Sequence, residues 1–196
     1  MRGMRYILYL LPLLVGAQQT DKIEYDLRIS YTGEKSAPTT IKTQYCKGTT
    51  IKCGKQVKIS YKGVLLFSAF YKNGEYDGKV LSYYPDGVLQ ETRTYIEGKE
   101  QGKRVLYYNN GKIQSEQEYV LNKREGEGKK YYENGVLQAQ FTYKDDKLDG
   151  LREEFNKQGV LIYETLYKEG KKQMMKHYDA QGVLLEEKNC RWNACY

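Results

Sequence analysis

Residues 78–95 read GKVLSYYPDGVLQETRTY, and IEGKEQ follows at 96–101. With the glycine of Pro85-Asp86-Gly87 as origin, equivalent glycines stand at Gly63, Gly87, Gly111, Gly135 and Gly159, every 24 residues, and Gly182 comes one residue early. Four positions before each stands Ile59, Tyr83, Tyr107, Tyr131, Phe155 or Tyr178, and two after it Leu65, Leu89, Ile113, Leu137, Leu161 or Leu184. Eight after the first five stand Tyr71, Tyr95, Tyr119, Tyr143 and Tyr167. Two further columns, Gly74/Gly98/Asn122/Asp146/Gly170 and Gly78/Gly102/Gly126/Gly150, hold residues that tolerate positive φ. Columns that stay in phase over this length mark a repeat array.

Each unit reads as two short strands, rich in Val, Tyr and Thr, bounded by turn residues and free of a helical apolar period. A two-residue Asp86-Gly87 loop would pair Tyr83 with Gln90. A type I turn over Pro85-Asp86-Gly87 with a glycine bulge pairs Tyr83 with Leu89 instead. The second register is chosen because it places the columns of Tyr83, Leu89 and Tyr95 on one face. The expected fold is all-β: an elongated antiparallel β-meander of 24-residue two-stranded repeats with N- and C-terminal caps. Its twelve array strands at about 4.8 Å would span roughly 55 Å before twisting.

The pattern aromatic-aromatic-x-x-Gly-x-Leu followed by Tyr-x-x-Gly-x-x-x-Gly, over residues 54–187, resembles the bacterial MORN repeat variant family. Chains of this kind are often labelled YwqK-type antitoxins. The resemblance implies a β-hairpin array and an antitoxin-like neutralising role. Asp77, Gln101, Glu125 and Asp149 stand before the closing glycines, where the family often has His, and the Trp of eukaryotic MORN units is missing. A phosphoinositide-type role is therefore not expected.

Four regions follow: 1–17 signal peptide, 18–53 N-terminal capping strands, 54–187 repeat array and 188–196 C-terminal cap. Arg2 and Arg5 precede an apolar run from Tyr6 to Val15, and Val15-Gly16-Ala17 offers small residues for cleavage before Gln18. That run is far short of the ~20 residues a membrane span needs. Export to the periplasm or the extracellular space is expected. Residues 21–31 alternate apolar and polar, with Ile23, Tyr25, Leu27, Ile29 and Tyr31 on one face, as a half-buried strand does. A loop over Thr32–Pro38 and a second strand from Thr39 to Tyr45 complete the cap.

The four cysteines lie at the two ends. An even count in an exported chain reads as disulfides. Of three possible connectivities, only Cys46–Cys53 with Cys190–Cys195 avoids joining the far ends of an extended array. Metal and cofactor chemistry are not expected: the cysteine spacings are not CxxC and the single histidine, His177, occupies a variable strand position. Asp145-Asp146-Lys147-Leu148-Asp149-Gly150 begins like a calcium loop, but Asn156 stands where the twelfth-position acid belongs. No phosphate-loop motif occurs. Glu153-Glu154 and Glu186-Glu187 are strand neighbours and so point to opposite faces. Catalysis is not expected.

The formal net charge of +7 is interspersed with acids in every repeat, unlike the basic stripe of a nucleic-acid binder. A binding role remains. Tyr84, Tyr108 and Tyr132, beside Val88, Lys112 and Val136, form a candidate contact row for a protein partner, or for an envelope glycan or lipid headgroup. The same tyrosines could instead brace a thin sheet. Phe67, Arg93, Phe141 and Tyr163 form a second candidate patch, and Trp192 is expected to cover the last strand or to stack on a ligand.

Overall fold

The computed structural model describes residues 25–191 and 194–196. The leader expected at 1–17, the start of the first capping strand and Trp192 lie outside them. Every element is a strand: β1 (Tyr25–Thr32), β2 (Thr39–Cys46), β3 (Lys52–Ile59), β4 (Leu65–Lys72), β5 (Glu75–Tyr83), β6 (Leu89–Ile96), β7 (Lys99–Glu100), β8 (Gly102–Tyr107) and β9 (Ile113–Val120). The second half holds β10 (Lys123–Tyr131), β11 (Leu137–Lys144), β12 (Lys147–Leu148), β13 (Gly150–Phe155), β14 (Leu161–Lys168), β15 (Lys171–Tyr178), β16 (Leu184–Arg191) and β17 (Ala194–Cys195). Successive strands pair antiparallel in one open meander. Counting β7 with β8 and β12 with β13, twelve strands run from β3 to β16.

Two kinds of turn alternate. The three-residue loop is as expected: Tyr83 pairs with Leu89, the Tyr84 N–H donates to the Val88 carbonyl at 2.8 Å, and the Gly87 N–H donates to the Tyr84 carbonyl at 2.9 Å. The other turn has two residues, both at positive φ, such as Asn73 (52°) and Gly74 (89°). That is the type I′ geometry that matches strand twist. Its second N–H also reaches back one strand, as from Gly98 to the Tyr76 carbonyl at 2.9 Å and from Asn122 to that of Glu100 at 3.0 Å. A turn amide left over in an isolated hairpin here joins the neighbouring unit.

The closing glycines sit at bulges. Opposite the single residues Phe70 and Glu118 stand three residues, 77–79 and 125–127. Gly78 and Gly126 have φ of 104° and 72°, which non-glycine residues adopt only at a cost.

The expectation that Tyr83, Leu89 and Tyr95 share a face is corrected. Register shifts occur between Ser82 and Tyr83 and, one unit on, between Lys130 and Tyr131. The Tyr131 hydroxyl therefore donates to Glu116 at 2.7 Å, and Glu116 pairs with Lys129. Tyr143, the equivalent of Tyr95, instead contacts Phe141, which pairs with Gly128 on the other face. One extra residue at the bulge inverts the alternation.

The core is a line rather than a volume. Across the face that carries Tyr71, Tyr95 and Tyr143, paired strands contribute Thr43, Gln56, Ala69 and Val80, all buried, with Ala69 fully so. Gly128, Phe141 and Thr165 continue the line as its buried residues further along. Small central residues let flanking tyrosines and arginines close over them, so a single sheet makes its own core.

Both caps are stapled. The sulfurs of Cys46 and Cys53 stand at bonding distance, as do those of Cys190 and Cys195, with Cα separations of 5.3 and 3.9 Å. β1 departs from its expected half-burial. As the outermost strand it leaves Tyr25, Leu27, Ile29 and Tyr31 exposed, although the edge of the Tyr25 ring lies close to Gly54.

Candidate functional site

The tyrosines expected as a contact row are spaced one per hairpin, and their hydroxyls are engaged. Tyr84 donates to the Tyr107 carbonyl at 2.8 Å, Tyr108 to that of Tyr131 at 2.7 Å, and Tyr132 to that of Phe155 at 2.8 Å. Each side chain bridges one three-residue turn to the next, and all three rings are half-buried. Alongside, Val64 lies under Gly87 and Val136 under Gly159, so the turns stack in register. The row braces the sheet.

A second tyrosine row lies on the buried-line face. Tyr71 pairs with Tyr76, Tyr95 with Glu100, Tyr119 with Arg124 and Tyr143 with Leu148. The Tyr71 and Tyr76 centroids are 4.7 Å apart, and those of Tyr76 and Tyr95 5.2 Å. Lys52 Nζ stands 4.8 Å from the Tyr71 ring centre and the Arg124 guanidinium 4.1 Å from that of Tyr143. Such cation–π contacts hold the charges over the rings. Burial, followed by the hydrogen bond with Tyr76, pushes the Tyr71 phenol well above its ordinary range. The result is a half-buried aromatic ladder with fixed cations.

At mid-ladder lies a charged seam. Glu91 accepts from the Arg93 guanidinium at 2.7 Å and from Arg104 Nε at 2.6 Å, and Arg93 also donates to the Tyr95 hydroxyl at 3.2 Å. Glu100 is only 8% exposed, and no protein atom bonds to its Oε1. Burial raises its carboxyl pKa, against the opposing pull of Arg104 and Arg93. Arg93, expected on an open patch, is thus tied into this network. Neither Arg104 nor Glu100 was a candidate from sequence, although both fall in the repeat columns that supply the inward positions.

The rest of the second patch divides. Phe141 is 8% exposed and packed over Gly128 beside Tyr143, which leaves little of its ring for a contact surface. Phe67 lies half-buried under Lys58. Tyr163 stacks on His177 with centroids 4.6 Å apart and planes at 10°, which gives that histidine a packing role on the strand. Among the described residues, no three His, Cys, Asp or Glu side chains are placed to hold a metal ion. The depressions present are shallow, lined by charged residues such as Lys103, Glu116 and Glu127. Open and charged, they suit contact over an area.

A comparison with curated proteins finds no match. Four consecutive segments, residues 76–97, 100–120, 124–145 and 148–169, match the MORN repeat variant family, each running from one type I′ turn to the next.

Proposed function

We propose that this chain is an exported, non-enzymatic repeat scaffold that works by binding a protein partner across its tyrosine-ladder face, as an antitoxin-like neutralising protein would. The observation that carries the reading is the ladder itself: half-buried tyrosines in a fixed row, with Lys52 and Arg124 held over the rings. Tyrosine supplies contact area at low entropic cost, and the sheet fixes its spacing. Paired cysteines at both caps and the leader-like residues 1–17 support an oxidising, exported location.

The test is affinity capture from envelope and secreted fractions of the producing organism, on three immobilised proteins with disulfides formed. These are the wild type, Lys52→Glu/Arg124→Glu, and Tyr84→Phe/Tyr108→Phe/Tyr132→Phe. A single partner bound roughly tenfold more weakly by the ladder variant, and equally by the turn variant, is the expected result. Equal capture by all three would overturn the ladder assignment. Retention of purified glycan or lipid with no protein present would overturn the protein-partner reading in favour of envelope binding.

A further inference from the structure

Among the described residues the first strand is an open edge, and its sequence is complementary to itself. Among the described residues, β1 pairs only with β2. Tyr25, Leu27, Ile29 and Tyr31 are 42, 41, 44 and 67% exposed on one face. On the other face Asp26 accepts the Gly48 N–H at 3.0 Å, while Arg28 donates to the Thr49 carbonyl at 2.7 Å and lies 4.3 Å from the Tyr45 ring centre. The Cys46–Cys53 loop therefore fixes both charges in place. Soluble proteins normally block such an edge with charge, proline or a covering element.

We infer that β1 is a homodimer interface, in which two copies pair antiparallel about a two-fold axis through Leu27 and the two arrays join into one continuous sheet. Registers centred between residues set the apolar face of one copy against the polar face of the other. Centring on Asp26 or Arg28 opposes like charges. Centring on Leu27 places Leu27 against its own copy, Tyr25 against Ile29 of the second copy, and Asp26 against Arg28 of the second copy, twice over. Centring on Ile29 keeps the apolar match but loses both ion pairs. The other end of the array is a poorer partner: β16 presents Glu187 and Asn189 on the face that would meet Leu27 and Ile29. Head-to-tail contact would also leave an open filament, whereas the two-fold pair closes.

Sedimentation of the full chain with disulfides formed, at up to about 100 μM, tests this. The wild type is expected as a dimer and Leu27→Lys as a monomer. Asp26→Arg alone and Arg28→Asp alone each oppose like charges across the axis and should weaken association roughly tenfold. An equimolar mixture of the two should regain it as a heterodimer, a result that misfolding of either variant cannot mimic. A monomeric wild type, an open-ended series of species, or a mixture no tighter than its components would overturn the proposal. Partner capture through the ladder can fail or succeed independently of it.

Discussion

Tyr131 shows how one side chain serves two units. Its hydroxyl donates to Glu116 Oε1, while its backbone carbonyl accepts from Tyr108. Burial, and then the Glu116 bond, raise the Tyr131 phenol from 10.0 to about 12. The Tyr131 bond, and then Lys103, hold the Glu116 carboxyl below its ordinary range. The signs follow by linkage. The raised phenol contributes stability below pH 10 that is lost as pH rises toward 12. The lowered carboxyl contributes stability above the usual carboxylate range that is lost as pH falls through its folded-state value. Tyr131→Phe should therefore cost about 1 kcal/mol near neutral pH, since the site is half open to solvent. The deficit relative to wild type should shrink at both extremes. Thermal unfolding of the pair at pH 3, 7 and 11 checks this, and a constant deficit would show that the bond is not the cause. That Tyr131 recurs in its column was plain in the sequence. Its carboxylate partner was not, because the bulge decides which face the tyrosine meets.

At the scale of the element, two glycines do different work. Gly63 occupies a turn at φ 83° with nothing within 4 Å of where a Cβ would stand. Gly128 lies mid-strand outside the left-handed region, yet its Cβ would fall on Gln117 Oε1 and the Phe141 ring. Gly63→Ala should cost about 1 kcal/mol through backbone strain alone. Gly128→Ala should cost about 3 kcal/mol by overpacking, and shortening Phe141 to Leu should recover part of that loss. Urea unfolding of the three variants decides; equal costs for the two alanines would refute the distinction. The Gly63 column was readable because its 24-residue recurrence matched a turn type. Gly128 has no glycine counterpart at Gln56, Val80 or Arg104, so the aromatic ring above it became visible only once β10 and β11 were paired.

Across the described residues, the main contacts run between strands adjacent in the sheet, each three-residue turn leans on the next, and β17 also folds back against β15. Stability should then be close to a sum over units and their junctions. Deleting residues 112–135, one whole period, joins Gly111 to Val136 and preserves both turn types and every face. The shortened chain should fold cooperatively, with an unfolding free energy lower by a few kcal/mol. Inserting one alanine between Gln117 and Glu118 keeps every unit but reverses the faces of Tyr119 and its successors, and should disrupt the sheet far more. Circular dichroism melts of the two proteins check the contrast. If deletion proves the more damaging, the array is not modular.

By itself the amino-acid sequence determined the period, the twelve-strand array, the three-residue turn register, the N-terminal capping strands and the cysteine pairing. Each depends on spacing along the chain and on the few residues that a turn tolerates. Tertiary structure alone decided which face each column occupies, that Tyr84, Tyr108 and Tyr132 are braces with engaged hydroxyls, and that Phe141 is core. It also decided that Glu91, Arg93, Glu100 and Arg104 gather into one seam. These depend on bulges, where one added residue turns a side chain to the other face, and on contacts between strands more than a dozen residues apart that no local pattern records.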